Sequence, residues 1–100
     1  MEKFRRIFVQ EPAKKDLSAL TAYSEDIRYL TAGFEDHSGL AGRIEDILKE
    51  FNPDTDAVIP VGRVVAAFIL GAQIAAAFPG KDISIGLYNN KDYTFMRLSI

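Results

Sequence analysis

The chain has 100 residues with no cysteine and no tryptophan, and its 12 basic and 14 acidic side chains leave a formal charge of −2. A chain of this size buries only about 60–70% of the surface its unfolded form exposes, so a single domain over residues 1–100 uses nearly all the apolar residues available. That composition excludes a disulfide framework and a thiolate metal site, and the near-neutral charge, with no run of five like charges, gives no footprint for nucleic acid.

The first strand is expected over Phe4 to Gln10, where Ile7, Phe8 and Val9 make the short apolar run of a strand covered on both faces. Glu11-Pro12 closes it. Asp16 is then placed to cap a short helix carrying Leu17, Leu20 and Tyr23, and Ile27 to Thr31 reads as the second strand. After the polar stretch Glu35-Asp36-His37-Ser38-Gly39, the spacing of Leu40, Ile44, Ile47, Leu48 and Phe51 predicts an amphipathic helix. Its other face carries Arg43, Glu45, Asp46, Lys49 and Glu50, with Glu45 and Lys49 in the favourable i, i+4 order.

Asn52-Pro53-Asp54 ends that helix, Asp54 and Asp56 read as turn formers, and Ala57-Val58-Ile59 forms the third strand. Val64 to Phe78 is apolar almost all the way round, with Gln73 polar in its middle. Its length as a helix, about 22 Å, is short of the roughly 30 Å hydrocarbon core of a bilayer. A buried helix is therefore expected, and no membrane span. Ala67, Gly71 and Ala75 fall at i, i+4, i+8, a row of small side chains that lets another backbone approach closely.

The last segment is a β-hairpin. If Tyr88 pairs with Tyr93, then Ile83, Ile85 and Leu87 share a face with Thr94, Met96 and Leu98. The opposite face gathers Ser84, Gly86, Tyr88, Tyr93, Phe95 and Arg97, with bare Gly86 backbone across from the Phe95 ring. Three crossovers followed by a tight hairpin predict an α/β, Rossmann-like domain: a small sheet of about four parallel strands, an antiparallel C-terminal edge strand and three helices.

In such sheets ligands bind beyond the carboxyl ends of the strands. The residues expected there are Gln10, Glu11 and Lys14 after the first strand, Thr31 and Gly33 after the second, Val61, Gly62 and Arg63 after the third, and Asn89 after the fourth. In Ile59-Pro60-Val61-Gly62-Arg63, Pro60 takes the backbone out of the sheet, Gly62 permits close approach or positive φ, and Arg63 begins a helix whose N-terminus is partly positive. Amides and guanidinium there suit a phosphate or carboxylate. The same residues also make an ordinary strand-to-helix turn, because neither phosphate-loop signature is present.

His37 is the only histidine and has Glu35 and Asp36 beside it, but no second histidine supports a metal, and a surface loop or helix cap is the simpler reading. No nucleophile has a base in a defensible context, so no catalytic residue and no cofactor is assigned. The aromatic face of the hairpin either stacks a planar ring or packs beneath a neighbouring element.

The opening Arg5-Arg6-Ile7-Phe8-Val9-Gln10-Glu11-Pro12-Ala13-Lys14-Lys15-Asp16-Leu17-Ser18 and the later Ala57-Val58-Ile59-Pro60-Val61-Gly62-Arg63-Val64-Val65 resemble small proteins encoded by tailed bacteriophages and prophages. The resemblance implies an accessory protein of the host cytoplasm and no activity. A cytoplasmic location is also the default expectation, since the sequence opens on no basic-then-apolar leader. Three functions are expected in turn. The first is a non-enzymatic domain holding a small anionic ligand, such as a nucleotide, at the strand ends. The second is a homo-oligomer joined through Ala67, Gly71 and Ala75 or through the hairpin edge with Phe95 and Arg97. The third is a nucleotide hydrolase using His37 or Glu11.

Overall fold

The computed structural model describes residues 3–12, 18–33, 36–89 and 92–99. Its elements in chain order are β1 (Arg6–Val9), a 3₁₀ helix (Ser18–Ala22), β2 (Ile27–Tyr29), α1 (His37–Leu48), β3 (Asp56–Ile59), α2 (Val64–Ala77), β4 (Asp82–Asn89) and β5 (Asp92–Ser99). The strands form one five-stranded sheet in the order β2-β1-β3-β4-β5. β2, β1, β3 and β4 are parallel and β5 returns antiparallel on β4. The protein is thus α/β, with a mixed, mostly parallel sheet and two α-helices.

The expected first helix is only a 3₁₀ turn among the described residues, and its proposed cap Asp16 and Leu17 lie outside them. β1 and β2 are also shorter than the apolar runs suggest. Their neighbours Gln10, Leu30 and Thr31 nevertheless carry the backbone pairing onward, through Gln10 to Ile59, Leu30 to Val9 and Thr31 to Gln10.

Alternation along the strands splits the core in two. Phe8, Val58 and Ile83 face the α-helices and pack with Ile44, Leu48, Phe51, Leu70 and Ile74. Ile7, Val9, Ala57 and Ile59 face the other way, toward Leu20 of the 3₁₀ helix and Tyr93. β1 and β3 are covered on both faces, which is why they read as unbroken apolar runs.

α1 begins earlier than its hydrophobic spacing indicates. Asp36 is its N-cap and accepts a hydrogen bond from the Gly39 amide at 3.0 Å, so His37 is the exposed first residue of the helix. Lys49 pairs with Asp46 at 3.1 Å and not with Glu45. Asp56 is buried at the start of β3, where its carboxylate accepts the Asn52 amide across the turn at 2.8 Å and also takes both Nε and Nη2 of Arg5, at 3.1 and 2.8 Å.

The hairpin register matches the expectation. Tyr88 pairs with Tyr93, Gly86 with Phe95, Ile85 with Met96 and Ile83 with Leu98. A Cβ at Gly86 would collide with both the Phe95 ring and Ile59 Cδ1, so the aromatic ring lies on backbone that only glycine leaves bare.

Candidate functional site

The order β2-β1-β3 means that the chain leaves β1 to one side and returns on the other, so the ends of β1 and β3 flank a topological switch point. Glu11 follows β1, Thr31 follows β2, and Gly62 and Arg63 join β3 to α2. The structure brings these together around one carboxylate. Glu11, almost fully buried, accepts the Arg63 backbone N–H on Oε1, Arg63 Nε at 2.9 Å on Oε2 and the Thr31 hydroxyl at 3.1 Å on Oε2. Arg63 Nη2 lies 2.8 Å from the same oxygen. Gln10 is fully buried beside it and donates Nε2 to the Arg63 carbonyl at 2.9 Å. Gln10 Oε1 has no partner among the described residues.

Gly62 has φ +122, a conformation that side chains rarely adopt, and a Cβ there would overlap the Glu11 carboxyl group. The glycine therefore makes room for the protein's own acid. Arg63 is the N-cap residue of α2 and makes no capping bond with its side chain; Glu11, from 52 positions earlier, supplies the negative charge that the start of a helix favours. Burial pushes the Glu11 carboxyl up, but the Arg63 guanidinium, the Arg63 amide and the Thr31 hydroxyl outweigh it and hold the group below the usual carboxylate range. The amide and guanidinium of Arg63 thus hold an internal anion, the Glu11 carboxylate.

The remaining expected residues are scattered. Gly33 adopts φ +96 near Pro12, and Asn89 ends β4 in an exposed position opposite Asp92 and takes no part in the Glu11 network. Val61 joins the core face below and lines a cavity of about 280 Å³ with Pro60, Gly86, Tyr88 and Tyr93. Lys14 lies outside the described residues. Glu11, ionised and committed to Arg63, is a poor general base, and no contact joins it to His37 among the described residues. No cluster of three or more His, Cys, Asp or Glu among those residues is placed to hold a metal.

The interface residues divide as well. Phe95 packs against Phe4 and Tyr23, with ring centroids 4.8 and 4.9 Å away, which is the packing reading of the aromatic face. Arg97 donates to Ser84 Oγ at 2.8 Å and to the Asp82 carbonyl. Ala67, Gly71 and Ala75 lie partly exposed along one flank of α2, and a Cβ on Gly71 would meet nothing within 4 Å.

The expectation of a buried helix needs correction. In α2 only Ala66, Leu70 and Ile74 are buried, while Val64 and Phe68 are 83% and 79% exposed and Val65 is also exposed. Gln73 Nε2 bonds the Ala41 carbonyl of α1 at 2.8 Å, so α1 lies along one flank of α2 and the small-residue row lies along the other. Beyond that open flank, the helix-side face of β4 and β5 is uncovered, with Leu87, Met96 and Leu98 between 37% and 44% exposed. Strand and helix together form an apolar corner. Sequence reading missed it because an all-apolar helix signals that every face wants cover, without saying which faces this chain covers itself.

At the opposite, N-terminal end of the strands, charged side chains pair with one another. Arg6 and Arg28 both contact Asp26 at 3.1 Å, and Arg28 also reaches Glu50 at 2.6 Å. The Arg28 guanidinium, aided by Arg6, holds Asp26 below the usual carboxylate range.

No helix among the described residues is long and apolar enough to cross a membrane. Comparison with protein-family models, with curated proteins and with solved structures finds no match to this chain.

Proposed function

We propose that this chain is a non-enzymatic interaction module that works as a homo-oligomer, a second copy covering the outer face of α2. One observation carries the reading: a helix without a single charged residue presents Val64 and Phe68 almost bare to solvent. An isolated exposed side chain needs no explanation, but a contiguous apolar patch on a small domain marks a contact surface. The role agrees with the accessory protein that the resemblance to phage-encoded chains implies, and with a cytoplasmic setting. Light scattering after size exclusion tests it. The expected mass is a multiple of 11.1 kDa, reduced to the monomer by Phe68→Glu; a wild-type monomer at high concentration overturns the reading.

A second reading rests on the donors that converge at the start of α2, the Arg63 amide and guanidinium and the Thr31 hydroxyl. In a Rossmann-like, doubly wound sheet this is where a phosphate or carboxylate would bind, and here such a ligand would have to take the place of Glu11. Thermal shifts with inorganic phosphate and mononucleotides test it. Glu11→Gln is expected to shift more than the wild type, and Glu11→Gln/Arg63→Ala not at all; equal shifts in both variants overturn it.

A further inference from the structure

The self-association proposed above leaves open how two copies meet, and the following inference rests on that reading. We infer that α2 of each copy seats on the open β4–β5 face of the other, so that each α2 is held between two sheets. The molecule carries both halves of the contact. Val64, Phe68 and Ala72 recur at i, i+4, i+8 on the side of α2 turned away from its own sheet, opposite the buried row Ala66, Leu70, Ile74. Leu87, Met96 and Leu98 form an apolar floor on the same side of the sheet, beyond the flank of α2 that α1 leaves free.

A two-fold axis running along the strands between facing sheets sets helix on floor twice over. It is an isologous contact in which Phe68 of one copy meets the floor of the other and the reverse. The same operation lays the two α2 helices side by side through Ala67, Gly71 and Ala75. With no side chain at Gly71, the backbones can approach closely.

Charge and area both favour a second copy as the occupant. α2 has no charged residue, the floor from Thr94 to Leu98 presents none on this face, and Arg97 is turned to the other side against Ser84. No ion is therefore stripped of water when the surfaces close. Covering Val64, Val65, Phe68, Leu87, Met96 and Leu98 removes on the order of 600 Å² from each copy, close to the roughly 800 Å² per partner of a stable complex. The half-buried small-residue flank and exposed Ala72 add to that area.

The absence of native cysteine makes the arrangement measurable, because an introduced thiol is the only one present. Chains carrying Phe68→Cys are mixed with chains carrying Met96→Cys and treated with a short bismaleimide, after circular dichroism confirms that both exposed-site variants fold. The expected product is the mixed Phe68→Cys/Met96→Cys dimer, in several-fold excess over either like pair, together with spontaneous disulfide formation by Ala75→Cys alone. Predominant Met96→Cys self-linking, with slow amide exchange at Phe95 and Arg97, would mean that β5 edges pair. That overturns the seating and leaves self-association intact. Monomeric wild type and no crosslink of any kind overturn both.

Discussion

α1 and α2 lie side by side on one face of the sheet, yet they are built on opposite terms. α1 buries Leu40, Ile44 and Leu48 and gives its outer face to Arg43, Glu45, Asp46 and Lys49. α2 buries Ala66, Leu70 and Ile74 and gives its outer face to Val64, Val65, Phe68 and Ala72. Their starts differ too, since α1 is capped by its own neighbour Asp36 and α2 by Glu11 from another strand. α1 is complete in water; α2 relies on the rest of the fold at its N-terminus and leaves an apolar outer face exposed.

The largest expected effects test whether the two helices are anchored alike on their inner faces. Ile44→Ala and Leu70→Ala should each lose about 2–5 kcal/mol in urea unfolding, since both side chains are buried in the same cluster. A much smaller loss for Leu70→Ala would show that α2 is not held by its sheet-facing row. Next come the starts. Arg63→Ala leaves the buried Glu11 carboxylate without its main partner and should cost about 2–3 kcal/mol, toward the low end for a broken buried pair because Arg63 is partly exposed.

The acid limb of stability sharpens the same point. Because Glu11 is held below its ordinary value of 4.5, its contribution is present above that value and is lost as pH falls through the lowered folded-state value. Glu11→Gln should flatten that limb of the stability curve. An unchanged acid limb would show that the carboxylate is not held by Arg63. Asp36→Ala should cost about 1 kcal/mol, the usual loss of a helix cap, with no change in oligomeric mass. Smallest is Gly42→Ala on the open side of α1, where a Cβ meets nothing within 4 Å. It should gain about 0.5–1 kcal/mol in thermal unfolding, again with no change in assembly.

Local signals proved legible. The hairpin register follows from alternation between Ile83 and Leu98, and the crossovers from the spacing of the apolar runs, because each is decided by neighbours a few residues apart. The gathering of Gln10, Glu11, Thr31 and Arg63 follows from the rule that strand ends share a rim. That Glu11 itself fills the seat does not, since it joins positions 52 apart and depends on the strand order. The short helix expected after β1 is a 3₁₀ turn over the described residues, because Leu20 and Tyr23 suit a single turn as well as several. Apolar periodicity in α2 reported a need for cover and nothing about its source.

The fit of Phe95 over Gly86 also bears on how the chain reaches this fold. Sliding β5 along β4 by two positions would set that ring opposite Ser84 or Tyr88, either of which brings a Cβ to the place left empty in the native pairing. The hairpin is therefore keyed to a single alignment by contacts between near neighbours in sequence. Ribbon formation can settle its pairing before the slower, long-range joining of β1 to β3, and mismatched intermediates at this free margin of the sheet are penalised from the outset.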